Sequence, residues 1–99
     1  MSVKFTPEAM EDLATIEVHI ATDNPRRAET FIEELRVRCL GLDEYPQAFP
    51  LLPGYEREGL RRHVYKNYLI LFRHHRGAVE IVRIVRGARD YERLLKPAP

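Results

Sequence analysis

The chain is expected to fold as an α+β domain of element order β-α-α-β-β-β, a helical hairpin packed on one face of a small antiparallel sheet. Three observations carry this. Two stretches in the first half repeat apolar residues at helical spacing, each behind its own start signal. Three short runs in the second half are β-branched or aromatic and are separated by turn-sized gaps. One short extended run precedes them all. Helices grouped before strands suit a helical layer on one sheet face.

Residues 2–5 are a strand candidate, with Val3 and Phe5 sharing a side. Thr6 is a good cap, Pro7 suits the first helical position, and Glu8 opposes the positive end of the helix dipole. Ala9, Leu13, Ile16 and Ile20 then define an inward stripe, while Glu11, Asp12 and Glu17 mark an acidic outer side. The helix should stop near Thr22. Asn24-Pro25 repeats the start signal, and Ala28, Phe31, Ile32, Leu35, Cys39 and Leu42 form a second stripe. Few residues separate the helices, so they pair antiparallel, and both stripes need the sheet to be buried. Cys39 lies within its stripe and reads as a small buried hydrophobe, not a nucleophile. Gly41 and Pro46 close the second helix. Residues 45–59 hold three prolines and two glycines and read as a loop, whose Phe49, Leu51 and Leu52 seal one edge of the core.

Strands are expected at residues 61–66, 68–73 and 79–86. The last is β-branched at Val79, Ile81, Val82, Ile84 and Val85. Lys66-Asn67 is a tight turn, and His74-His75-Arg76-Gly77 is a loop with Gly77 at a positive φ. Gly87 breaks the third run, and Ala88-Arg89-Asp90 leaves the sheet. Residues 91–96 are a short helical turn or a tail. The sheet face away from the helices is left to solvent or to a partner, and nothing in the pattern assigns the N-terminal strand to an edge.

Ninety-nine residues suffice for one domain, expected to span positions 1–99. A chain that is 44% hydrophobic and 31% charged is not a disordered one. A single cysteine cannot close an internal disulfide, which favours a reducing compartment. No apolar run approaches the roughly 20 residues that span a bilayer, and the first ten residues lack the apolar core of a signal peptide. The cytoplasm is the expected location. No nucleophile elbow, phosphate-binding glycine loop or paired catalytic carboxylate occurs, and no metal or cofactor is expected. His63, His74 and His75 bring no carboxylate or Cys-x-x-Cys partner, and read as solvated loop residues.

The formal charge of +1 hides a dipolar distribution. The second half gathers arginines and lysine, while acidic residues mark the helices, and such asymmetry bears on partners. Arg61, Arg62, Arg73, Arg76, Arg83, Arg86 and Arg89 are the candidate binding residues. Arg83 sits mid-strand among apolar neighbours, so it either forms an ion pair with Glu80 or a helix carboxylate, or serves the open face. Arg86 points to the opposite side in a regular strand. Arg89-Asp90 is either a self-contained ion pair or part of a site. A basic open face suits an acidic amphipathic peptide and no sequence-specific nucleic-acid contact.

Gly59-Leu60-Arg61-Arg62, Tyr68-Leu69-Ile70-Leu71-Phe72-Arg73 and the run from Val79 through Arg83-Ile84-Val85-Arg86-Gly87-Ala88-Arg89-Asp90 resemble the ParE branch of the RelE/ParE toxins of bacterial type II toxin–antitoxin systems. The closing pattern, apolar-Arg-apolar-apolar-x-Gly-Ala-Arg-Asp, is the most specific part, and the upstream element order agrees. The resemblance implies a toxin that poisons DNA gyrase by binding, stalling it on cleaved DNA. It implies a cognate ParD-like antitoxin whose C-terminal segment wraps the toxin through helix and strand contacts, whose N-terminal part is a DNA-binding dimer, and which joins it in a hetero-oligomer. RelE-branch relatives are instead ribosome-dependent messenger RNA endonucleases that use Lys, Arg and Tyr on the open sheet face. Carried over by the strand pattern, little of that set survives. Its basic positions fall on Leu60, Arg62 and Leu69, the arginine after the glycine is kept as Arg89, and the closing tyrosine falls on Leu95. Tyr91 lies four residues earlier. Arginine clamps phosphate well but is a poor general base. Binding is therefore favoured over cleavage. The alternatives are a ribonuclease built on Arg62, Arg89 and Tyr91, and a non-toxic member that keeps antitoxin binding.

Overall fold

The computed structural model describes residues 2–87 and 91–95. The local start signals act as read. The Thr6 hydroxyl accepts the Ala9 N–H at 3.0 Å and starts α1 (Pro7–Ala21). Asn24 Oδ1 accepts the Arg27 N–H at 3.1 Å and starts α2 (Pro25–Leu40). Each cap satisfies one of the donors that a helix leaves unpaired at its first turn. A 3-10 turn at Gly41–Asp43 follows α2, and a second at Pro46–Ala48 interrupts the stretch read as pure loop.

Strand β1 (Ser2–Phe5) is followed, after the helices, by β2 (Leu60–Tyr65), β3 (Tyr68–His75) and β4 (Ala78–Arg86); a short α3 spans Tyr91–Leu95. The sheet order is β1-β4-β3-β2. The meander is antiparallel, and β1 adds to β4 in parallel, Val3 opposite Val79 and Phe5 opposite Ile81, so the sheet is mixed. The third strand runs two residues further than the sequence suggested. His74 and His75 belong to β3, and only Arg76 and Gly77 turn, at φ +51° and +76°. Two successive positive φ angles match the twist of a two-residue hairpin, and Gly77 adopts its angle without steric cost.

Strand β4 carries a bulge. Ile81 lies opposite Phe72, Arg83 opposite Leu71, and Val82 is the extra residue. The insertion resets the in–out alternation. Ile81 and Ile84 therefore both face the helices, as Val79 does.

The helix-side core joins Ala9, Leu13, Ile16, Phe31, Leu35, Cys39 and Leu42 to Tyr68, Ile70, Phe72, Val79, Ile81 and Ile84. Ile20 and Ile32 are half-buried at its margin. Burial pushes the Cys39 thiol up to about 12, so it is no thiolate at neutral pH. The opposite sheet face is not open, contrary to expectation. Leu60, Leu69, Leu71 and Val85 form a second buried cluster with Leu52, flanked by Tyr55, Val82, Tyr91 and Leu95. The segment after Phe49 turns back along β2, with Leu51 bridging Arg61 and the Leu52 N–H donating to the Leu60 carbonyl at 2.8 Å. Phe49 instead packs on the helix side, its ring edge-on to Phe72. Among the described residues, no helix is long and apolar enough to cross a membrane.

Candidate functional site

The positions that carry reactive groups in the ribonuclease pattern do converge in space. Leu60 starts β2 opposite Arg73, Leu69 lies further along on β3 opposite Val64, and Leu95 closes α3; all three belong to the cluster on the outer sheet face. What they build is an apolar plug. Leu60 and Leu69 are 4% and 3% exposed, and Leu71 is fully buried between them. Tyr91 is half-buried, its ring edge-on to Tyr55 and its hydroxyl donating to the Pro53 carbonyl at 3.4 Å. Over this cluster a phosphodiester would meet apolar side chains, with Arg62 the cation on the same face of β2. Arg89 and Asp90 lie outside the described residues.

The candidate arginines do not share one face. Arg61 is opposite Phe72, on the helix side of β2, and donates to the Phe49 carbonyl at 2.6 Å. Arg62 is opposite Leu71, on the outer side. Arg73 faces its cross-strand partner Glu80 and pairs with it at 2.9 Å. Arg76 is exposed in the β3–β4 turn. Arg83 takes the structural role: its Nε and Nη2 donate to Asp12 Oδ2 and Oδ1 at 2.8 and 2.9 Å. The carboxylate beside it raises the guanidinium pKa further. Asp12, read as part of a solvated acidic side, is turned inward to do this. The basic sheet surface expected from composition is thus split between two faces, one turn and two ion pairs.

The histidines also depart from the solvated-loop reading, because they sit in strands. His63 lies edge-on to Phe49, and burial, helped by Arg38, lowers its pKa. His74 Nδ1 meets Gln47 Nε2 at 3.3 Å, while its Nε2 is buried without a partner among the described residues. No three His, Cys, Asp or Glu side chains among those residues are grouped to hold a metal.

A network that sequence reading missed ties α2 to β2. Arg27 Nη1 donates to Glu34 Oε2 at 2.6 Å, and the Tyr65 hydroxyl donates to Glu34 Oε1. Arg38 lies over the Tyr65 ring, 4.9 Å from its centre. The detectable signal was the seven-residue spacing of Arg27 and Glu34, two helical turns on one face. The Arg27 and Tyr65 hydrogen bonds lower the Glu34 pKa from 4.5 to about 2. A depressed carboxylate contributes stability above its unfolded pKa and loses it as pH falls through the folded one. The stability difference between the unaltered chain and Glu34→Gln should therefore be constant near neutral pH and shrink between about pH 4.5 and 2. Urea titrations at stepped pH measure it; a difference indifferent to acid would place the contribution elsewhere.

Two cations that make no ion pair among the described residues, Arg86 and Lys66, lie at one end of the sheet. Arg86 and Tyr68 line three adjoining clefts there, of about 420, 300 and 260 Å³. Lys66 lines the first two, and His19 the second and third. Arg86 Nη1 lies within hydrogen-bond distance of His19 Nε2, at 3.1 Å. The Gly87 N–H donates to the Asn67 carbonyl at 2.9 Å and holds the β2–β3 turn against the end of β4.

Comparison with known proteins agrees with this architecture. The family model described as the ParE toxin of the type II toxin–antitoxin system, parDE, matches residues 3–91. A solved structure, the chromosomal ParDE TA system from P. aeruginosa, superposes with a TM-score of 0.75 at 24% identity, over 88% of this chain and 96% of that one. At that identity the likeness concerns the fold. No curated protein matches the chain.

Proposed function

Because the chain belongs to the ParE toxin family of type II toxin–antitoxin systems, we propose that it acts by binding, as a poison of DNA gyrase held inactive by a cognate ParD-like antitoxin. The observation that carries the non-cleaving half of this reading is the plug on the outer sheet face. Metal-free RNA cleavage needs a base for the 2′-hydroxyl, an acid for the leaving oxygen, and cations for the phosphate. Leu60, Leu69 and Leu95 supply none of these, and they exclude water where the chemistry would take place. A toxin that lacks the reactive set at Leu60, Leu69 and Leu95 harms a cell by holding another machine in the wrong state, and gyrase is the machine of this proposal. The same membership supports an antitoxin partner, and the proposal places the two in one hetero-oligomer in the cytoplasm.

Two assays on the purified chain test this. With gyrase, DNA and ATP, cleaved DNA should accumulate with toxin concentration. With ribosomes programmed by messenger RNA, no codon-specific cleavage should appear. Cleavage of ribosome-bound messenger RNA, abolished by Arg62→Ala, would overturn the proposal in favour of a ribonuclease.

A further inference from the structure

We propose that the open half of the β2 edge is a strand-pairing site through which the toxin grips its target: it takes an extended acidic segment of gyrase, read by the backbone of Arg62 and Val64. This rests on the reading of the chain as a binding poison and adds the surface that does the holding.

Strand β2 is the last in the sheet order, so one of its sides faces no other strand. The chain itself covers half of that side. The Leu52 N–H donates to the Leu60 carbonyl at 2.8 Å, the Arg62 N–H donates to the Pro50 carbonyl at 3.1 Å, and Leu51 bridges Arg61. There the ladder stops. Pro50 has no N–H to return to the Arg62 carbonyl, and Phe49 turns its ring to the helix side, against His63 and Phe72. Leu60 and Arg62 direct their backbone groups outward, and by the alternation of an antiparallel strand so does Val64. The Arg62 carbonyl and the Val64 N–H and carbonyl have no partner among the described residues. Acceptor, donor and acceptor in that order are what a peptide strand pairs with. Val64 is 61% exposed, and Lys66 beyond it is exposed too.

A cleft flanks this edge on each sheet face. On the helix side, Tyr65 and Val37 line about 440 Å³ together with Glu33, Glu34 and Arg38. On the outer side, Val64, Leu69 and Lys66 line the 420 Å³ cleft. A strand lying along Val64 sends alternate side chains into one and the other. Charge sets what those side chains are. Arg38, Arg62 and Lys66 make no ion pair among the described residues, whereas Glu34 is already held by Arg27. An acidic residue beside Arg62 or Lys66 gains an ion pair, and a basic one is repelled. Glu33, exposed on α2, reserves the helix-side cleft for a neutral or apolar side chain beside Val37.

The same charges argue against a second copy of the chain. Two-fold pairing at Val64 sets Arg62 opposite Lys66 of the other copy, like charges face to face. Three backbone groups and two open clefts also make a small footprint, of the kind found in transient contacts and not in permanent complexes. That suits a target seized during its turnover better than a partner that keeps the toxin silent.

The test adds the purified chain to gyrase, DNA and ATP, and reads the concentration that gives half of the maximal cleaved DNA. Val64→Pro deletes an N–H that the fold does not use, and should raise that concentration at least about tenfold. Arg62→Glu with Lys66→Glu leaves the backbone as it is and should also raise it at least about tenfold. Arg26→Gln with Arg36→Gln, on the exposed side of α2, should change it less than about twofold. Thermal midpoints, and affinity for the antitoxin from the neighbouring reading frame, should stay near the unaltered values in all three. If Val64→Pro melts early, the charge reversal alone decides. Trapping as strong in the charge reversal as in the unaltered chain overturns the site. Antitoxin binding lost as much as trapping, or in its place, assigns the edge to the antitoxin and overturns it as well. So does a toxin dimer that the charge reversal splits or tightens, because the edge then belongs to a second copy. An unaltered chain that traps no cleaved DNA overturns the gyrase reading beneath, and the site falls with it.

Discussion

Replacing Leu35 by alanine is expected to remove about 2–5 kcal/mol of folding stability. Leu35 sits in the middle of α2 with no exposed surface, in the cluster that joins both helices to Phe72 and Ile81. Truncation removes buried methyl groups and leaves a cavity that α1 and the sheet can close only in part. Domains of this class carry about 5–15 kcal/mol in total, so the loss is a large share. The same helix provides its own control. Val37 is 59% exposed, and Val37→Ala should change stability by no more than about 0.5 kcal/mol. Urea unfolding of both variants measures the contrast. Comparable small losses would mean that α2 does not bury this stripe against the sheet.

The Leu35 stripe is legible in the amino-acid sequence because it is a short-range signal. Helix caps, a 3.6-residue period and β-branched runs act over a few residues, and the structure places them where the chain suggested. Signals that depend on pairing across the molecule were not readable. The bulge at Val82 has no glycine to mark it, yet it alone brings Ile81 and Ile84 to one face. The parallel site of β1 beside β4 is set by register between segments more than seventy residues apart.

The outer face shows the same division. That Leu60, Leu69 and Leu95 replace polar residues of the ribonuclease pattern was visible from the strand pattern. That they share one cluster with Leu52 and Tyr55 was not, because the covering segment reads as an ordinary proline-rich loop. Composition also misled about charge. Counting arginines in the second half suggested one basic surface, but alternation along each strand sends neighbours such as Arg61 and Arg62 to opposite sides. An arginine pattern can be read from sequence as charge, and only pairing shows which guanidinium is left for a partner.

Asp12→Ala should cost about 2–4 kcal/mol, although Asp12 looks from sequence like one more acidic residue on a helix. One carboxylate serves three donors: Arg83 Nε, Arg83 Nη2 and the Ile84 N–H. Alanine strands all three beneath α1, where the Arg83 side chain is 21% exposed and the aspartate 14%. Residual water screens part of the charge, so the loss stays below that of a fully buried pair. The cost comes from orphaned groups more than from the pair itself, and this sets the pattern across variants. Arg83→Met removes the cation and leaves Asp12 still bonded to Ile84, so it should cost less than Asp12→Ala. In the Asp12→Ala/Arg83→Met double variant, part of the single loss should return, because no guanidinium remains unpaired. The cycle, read by urea unfolding, gives the coupling directly. Additive losses would show that the ion pair is incidental and that the aspartate acts only as a cap on Ile84.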